Sequence, residues 1–392
     1  MAERLRILLV TRNLPPLIGG MERLNWHMAQ ELARYGDVRV VGPSGSAALA
    51  PAGVTVVEVP LKPLWKFIGC ATVETWKIAR RWRPHVVLAG SGLTALPAWL
   101  AARSAKARAA AYVHGLDMAV PHPVYRALWF PALRRMECVI ANSGATRALA
   151  ISAGVAASRI RIVHPGVQLP GLPDSEVIRR FRAEHDLGDA PLLLSVGRLS
   201  TRKGLREFVT QVLPRIVQAV PQTTLLVVGD APSQALHAGT QTIESIKAAA
   251  AEAGVAGQLR FLGQITDYGQ LGVVYGAADV HVFPVRELPG DPEGFGMVAV
   301  EAAAHGLPTV AFATGGVTDA VAEGRSGHLV KAGDYEAMAD AVIDVLTSGV
   351  DLAQPCRDFA RRFAWDAFGE GVVRAVSMED DAYHAPASGS RS

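Results

Sequence analysis

Two glutamates separated by seven residues, Glu293 and Glu301, bracket the turn Gly294-Phe295-Gly296. Glycines here let the backbone approach a ligand without a Cβ in the way, and a helix opening near Met297 would aim unpaired N–H groups at it. Such a helix end favours phosphate. Glu301, about one turn inside, could accept two hydrogen bonds from a ribose diol, while Glu293 stays in the loop, nearer a sugar. Either acid alone reads equally well as a solvated helix-face charge, as most glutamates are. A second set of polar groups sits in Gly197-Arg198-Leu199-Ser200-Thr201-Arg202-Lys203-Gly204, where Arg198 and Lys203 are the cations of interest. That loop lacks the G-x-x-x-x-G-K-[ST] order, so it is not a P-loop for ATP. His114, in Tyr112-Val113-His114-Gly115-Leu116-Asp117, and the pair Gly19-Gly20 complete the candidates; taken singly they read as a structural histidine and a tight turn.

The elements that must position these residues are short apolar runs alternating with helical patterns, the signature of parallel sheets built from strand-helix-strand units. Leu5 to Val10, Val38 to Val41, Val54 to Val59, Val86 to Ala89, Ala109 to Val113, Val139 to Ala141 and Arg161 to Val163 predict one open sheet. Leu192 to Val196, Leu225 to Val228, Leu259 to Leu262, Val280 to Phe283 and Thr309 to Phe312 predict a second. Between them His164 to Pro173 is rich in Pro and Gly and reads as a hinge, with a helix expected from about Asp174 to Asp186. The expected division is residues 1–170, residues 171–363, a last helix at about 364–380 and a disordered tail at 381–392.

At 392 residues, half of them hydrophobic, the chain suits two domains of roughly 150 to 200 residues, each with a full core. A formal charge of +3 does not argue for nucleic acid, which would need a concentrated basic stripe. Cys70, Cys138 and Cys356 show neither metal-ligand spacing nor a disulfide framework, which fits a reducing cytoplasm. No window approaches the length of a spanning helix, and Leu5 to Val10 is shorter than a signal peptide's apolar region. Two stretches combine aromatics with cations. Leu64, Phe67, Ile68, Ala71, Ile78 and Trp82 fall on one helical stripe among lysines and arginines, and Tyr125, Arg126, Trp129, Phe130, Arg134 and Arg135 form the other. Each fits an ordinary helix with a solvated basic edge, or a peripheral contact with an anionic membrane.

Glu, seven residues, Glu around Gly-Phe-Gly resembles the donor motif of the retaining GT-B glycosyltransferases of family 4. The Gly-Arg and Lys-Gly pairs at 197–204, the glycine loop at 19–20 and the His-Gly pair at 114–115 follow in the family's order. His164-Pro165-Gly166-Val167 is similar to its interdomain Pro-Asn-Gly-Val. Where the family has a Glu after its second Gly-Gly loop, this chain has Asp319, one carbon shorter. The resemblance implies an α/β fold of two doubly wound Rossmann-like domains facing across a cleft, with the last helix crossing back to the first domain. It also implies roles: Glu301 for the ribose, Arg198 and Lys203 for the diphosphate as it leaves, and the Gly19-Gly20 amides and those after Phe295, from Gly296 and Met297, for phosphate. Glu293 and His114 would attend the transferred sugar.

The extended loop from Arg286 to Pro292 and the His-Gly-x-acid at 114–117 look similar to mannosyltransferases that build phosphatidylinositol mannosides and related envelope glycans. The expectation is therefore a hexosyl donor, GDP-mannose first and a UDP-hexose next. The acceptor would be a lipid-linked or saccharide acceptor at the cytoplasmic face of the membrane. No cofactor is expected. Asp291-Pro292-Glu293 superficially matches a Mn-binding Asp-x-Asp, but it follows the turn Glu287-Leu288-Pro289-Gly290 instead of an apolar strand, so activity without divalent ion is expected. Two other classes compete. Gly294, Gly296, Ala299 and Gly90, Gly92, Ala95 fit G-x-G-x-x-A, yet neither match has a ribose-binding acid ending the next strand, which a dinucleotide oxidoreductase would need. A UDP-sugar epimerase would use a similar two-domain fold, and a silent binding module would turn nothing over.

Overall fold

The computed structural model describes residues 4–171, 174–231 and 241–377; the tail from Asp381 lies outside them. Nearly every apolar run becomes a strand with both faces covered. Ile7, Leu8, Leu9 and Val10 are fully buried in sequence, as are Val87, Leu88 and Ala89, which is how a parallel strand between two helix layers must read. In the first sheet β1 (Leu5–Val10), β2 (Gly36–Pro43), β3 (Val54–Val59), β4 (Val86–Ala89), β5 (Arg108–Val113), β6 (Cys138–Ala141) and β7 (Ile160–Ile162) pair in the order β3-β2-β1-β4-β5-β6-β7. In the second, β8 (Leu192–Val196), β9 (Thr224–Val228), β10 (Leu259–Gly263), β11 (Val280–Phe283), β12 (Thr309–Phe312) and β13 (Gly327–Val330) pair in the order β10-β9-β8-β11-β12-β13. All neighbours run parallel.

The strand order reverses between β1 and β4 in one sheet and between β8 and β11 in the other. Loops leaving the carboxyl ends of strands flanking such a switch point frame a crevice. Here those loops carry Gly19-Gly20, Ser91-Gly92, Arg198 to Gly204 and Pro284 to Gly296. The next strand over, β5, ends directly at His114.

Two passages join the domains and lie side by side. The Val167 amide donates to the Phe363 carbonyl at 2.7 Å, and Val167 and Ala364 form a parallel bridge. Beyond them the helix Trp365–Ser377 packs on the first domain, where Trp365, Phe368, Val372 and Val376 share a core with Leu24, Met28 and Leu9. Trp365 stacks on His27 at 3.9 Å, and the Arg108 guanidinium donates to the Ser377 carbonyl at 2.7 Å.

Two details differ from the sequence reading. β13 was not foreseen: it is four residues long, begins with glycine and is only partly buried, so it presents no apolar run. The helix Leu64–Trp82 buries Phe67, Ala71, Thr75 and Ala79, a strict i, i+4 row through a polar threonine that apolar counting skips. Leu64 therefore leaves the predicted stripe and is 45% exposed, with Trp65 at 75% and Trp76 at 46% on the outer side.

Candidate active site

The donor-side loop is built by mutual support of backbone and charge. Gly296 caps the helix Met297–Ala304 with φ +94, a conformation that a Cβ would strain. The Gly316 amide donates to the Glu293 carbonyl at 2.9 Å, and a Cβ on Gly316 would stand 2.1 Å from the Gly294 carbonyl oxygen. The Gly-Gly turn after β12 thus clamps residues 293–295 from below. Phe295 is buried and stacks on His164 at 5.2 Å, tying the same loop to the interdomain passage.

Glu293 is the centre of a charge cluster. Lys203 Nζ lies 2.8 Å from Glu293 Oε2, the Arg202 guanidinium is hydrogen-bonded to the same carboxylate, and Arg202 Nε lies 3.2 Å from Asp291. Burial alone would raise the Glu293 carboxyl, but Lys203 and Arg202 hold it down to about 2. Burial lowers the Lys203 ammonium from its ordinary value, with Glu293 opposing. Lys203 also sits 4.5 Å over the Phe283 ring, so β11 supplies both its floor and, through its exit loop, its counter-ion. Arg198 is exposed at the mouth of the same loop, and no hydrogen bond or ion pair holds its side chain among the described residues.

Glu301 lies on the inner face of its helix, where its Oε2 accepts from the Tyr275 hydroxyl at 3.3 Å and its other oxygen pairs with Arg23 of the first domain. His114 is 9% exposed. Its amide and that of Gly92 both donate to Asp117 Oδ2 at 2.9 Å, which fixes the turn between β5 and the short helix Gly115–Ala119. Asn142 Nδ2 stands 3.5 Å from its Nδ1, and its Nε2 is buried. Burial lowers its pKa, against the pull of Asp117 and a hydrogen bond to the Gly90 backbone.

The two halves meet across the cleft. A Cβ on Gly115 would stand 3.3 Å from the Gly294 Cα, and one on Gly20 would stand 3.6 Å from the Met297 sulfur. Gly144 donates its amide to Asp319 Oδ2 at 2.6 Å, at the start of the helix Gly144–Ser152. The structure therefore brings His114, Glu293, Lys203, Gly294, Gly296, Met297, Gly19 and Gly20 to one cleft, with Arg198 at its rim and Glu301 farther along the donor helix. Sequence reading passed over Arg202, Arg23 and Asn142 as site residues. Arg202 was signalled by its place beside Lys203; Arg23 and Asn142 become neighbours of the site only through strand order and domain closure.

Two facing Rossmann-like domains with a cleft at their carboxyl ends define a GT-B fold. The structure superposes on that of HepE from Anabaena, solved with UDP and glucose, at a TM-score of 0.77 and 20% identity, covering 95% of this chain and all of that one. Residues 18–169 match the family model described as Glycosyltransferase Family 4, and residues 190–348 match Glycosyl transferases group 1. The chain is 30% identical over 354 residues, covering 87% of itself and 89% of the relative, to a GDP-mannose-dependent alpha-(1-6)-phosphatidylinositol monomannoside mannosyltransferase of Mycolicibacterium smegmatis. It is also 30% identical over 402 residues to the enzyme of that name from Mycobacterium tuberculosis, covering 96% of this chain and 99% of that one. The chain belongs to the family 4 glycosyltransferases, and it is an enzyme of glycosyl transfer.

Proposed function

We propose that this transferase moves mannose, with retention of configuration, from GDP-mannose to a lipid or saccharide acceptor in cell-envelope glycan synthesis. The observation that carries the reading is the Arg202–Glu293–Lys203 cluster facing the His114-Gly115 turn, in a chain 30% identical over most of its length to enzymes described as GDP-mannose-dependent. Glu301 holds the ribose, Lys203 and Arg198 take the diphosphate, and the amides of Gly296 and Met297 with those of Gly19 and Gly20 face phosphate. Glu293 and His114 attend the sugar. The acceptor enters from the first domain. Its hydroxyl oxygen bonds to the anomeric carbon on the face that the diphosphate leaves. The carbon–phosphate-oxygen bond breaks, and the acceptor's proton passes to the leaving phosphate. The protein's part is electrostatic: fixed cations lie where negative charge develops.

Thermal unfolding with GDP, UDP, ADP and NAD tests the donor. A ligand at a hundred times its dissociation constant adds about 2.7 kcal/mol, enough for a visible shift. Stabilisation by GDP alone is the expected result; UDP alone would replace mannose by another hexose, and NAD alone would defeat the site assignments.

Metal-independent transfer is part of the proposal. Asp291 and Glu293 already direct their charge to Arg202 and Lys203, which leaves them poor ligands for a divalent cation. Activity should persist in EDTA; loss restored by Mn²⁺ would overturn this.

Peripheral membrane docking also belongs here. Among the described residues no helix is long and apolar enough to cross a membrane. Leu64, Trp65 and Trp76, with Val124 and Leu128, instead stand outward on two helices of the first domain beside Lys66, Arg80 and Arg126. Such a surface suits an anionic interface. The chain should co-float with anionic vesicles and lose much of that binding in Trp65→Ser; equal recovery with neutral and anionic vesicles would defeat the electrostatic part.

A further inference from the structure

Arg23 stands in the first turn of the helix Gly20–Tyr35, directly behind the glycine loop, and its guanidinium crosses the cleft to pair with Glu301. The Tyr268 ring backs it at 5.4 Å. The other oxygen of Glu301 accepts from Tyr275 at 3.3 Å. Both oxygens of the carboxylate are therefore engaged, and the Arg23 and Glu301 side chains are only 21% and 12% exposed. A carboxylate that receives two vicinal hydroxyls uses those same two oxygens, one for each donated hydrogen. Arg23 and a ribose diol thus compete for one acceptor. The competing group comes from the opposite domain, so exchanging it also releases one of the ties that hold the cleft closed.

We propose that Arg23 is a built-in latch of the donor site: it occupies Glu301 across the cleft until the ribose hydroxyls of the nucleotide-sugar replace it. Arg23 is a positioning residue acting through Glu301, and the proposal rests on the reading of Glu301 as the ribose acid. While latched, a molecule is not competent for the nucleotide, so apparent affinity falls by the fraction that is unlatched. Salt weakens a partly exposed ion pair, so the latch loosens as ionic strength rises.

The test is calorimetric titration of the full chain with GDP and with 2′-deoxy-GDP, using wild type, Arg23→Met, Arg23→Lys, Glu301→Gln and the Arg23→Met/Glu301→Gln double variant. UDP and its 2′-deoxy form take their place if the nucleotide screen selects UDP. Arg23→Met should bind GDP about tenfold more tightly than wild type, as when one molecule in about ten is unlatched. Arg23→Lys, which keeps the charge without the planar fork, should fall between them. The gain should shrink in high salt and vanish in the Glu301→Gln background. Unchanged or weaker GDP binding by Arg23→Met would overturn the latch alone, provided wild type prefers GDP to 2′-deoxy-GDP and Glu301→Gln loses that preference. If wild type shows no such preference, the ribose reading of Glu301 fails and the latch fails with it. A gain that persists in the double variant would mean that Arg23 acts elsewhere, and would also overturn it.

Discussion

Lys203→Ala should lower turnover by about 10²- to 10³-fold, as removal of one preorganised donor from an oxyanion site does, equivalent to roughly 2.7–4 kcal/mol. The argument begins in the loop after β8, where a 3-10 turn at Thr201–Lys203 sets the ammonium against the Phe283 ring and 2.8 Å from Glu293. Burial makes the site a poor place for a charge, so the cation is worth more there than in water. In the proposed reaction Lys203 gains a second anion as the diphosphate departs, while its first partner remains. The stabilisation therefore grows toward the transition state, which is the condition for raising turnover and not merely affinity. Steady-state kinetics at saturating donor are the check. A fall of only about twofold would remove Lys203 from the leaving-group role, whatever the loss in donor affinity.

Glu293→Ala should be the most destabilising single change at the site. It strips the counter-ion from two cations that are 11% and 17% exposed, and breaking a buried pair by deleting one partner costs about 3–5 kcal/mol. Glu293→Gln keeps the shape and should cost less. Combining Glu293→Gln with Lys203→Met should recover part of the stability, because one of the two stranded cations leaves with its partner, while activity stays lost. Urea unfolding of wild type, Glu293→Gln, Lys203→Met and the double variant completes the cycle, and strictly additive losses would show that the two side chains do not act as a pair.

The same carboxylate makes a prediction about acid. Its folded-state pKa of about 2 lies below the usual glutamate value, so its contribution to stability is present at neutral pH. That contribution is lost as pH falls from the usual carboxylate range through about 2. Glu293→Gln should flatten the acid side of the stability profile in that window, and an unchanged profile would contradict the pairing.

Much of this protein was readable without coordinates. Parallel strands covered on both faces must be continuous apolar runs, so β1, β4 and β8 announce themselves, and helices between them force two doubly wound layers. Gly294 to Met297 was legible because only glycine fits a turn that opens a helix with bare amides, and a motif of this kind is local. β13 was not legible, since an edge strand with one covered flank needs no apolar run. The buried face of Leu64–Trp82 was misread at Leu64, because one core position is a threonine.

Sequence alone determined the fold class, the two-domain plan and the loops that carry charge, since each depends on residues close together in the chain. Tertiary structure decided which charges meet. Glu293 has Arg202 and Lys203 as partners because β8 and β11 are neighbours in the sheet, a pairing separated by about ninety residues. Glu301 meets Arg23 only because the first helix of one domain reaches the donor helix of the other, 278 residues away. Coulomb energy depends on distance in space and on burial, and neither is written in the spacing of residues along the chain.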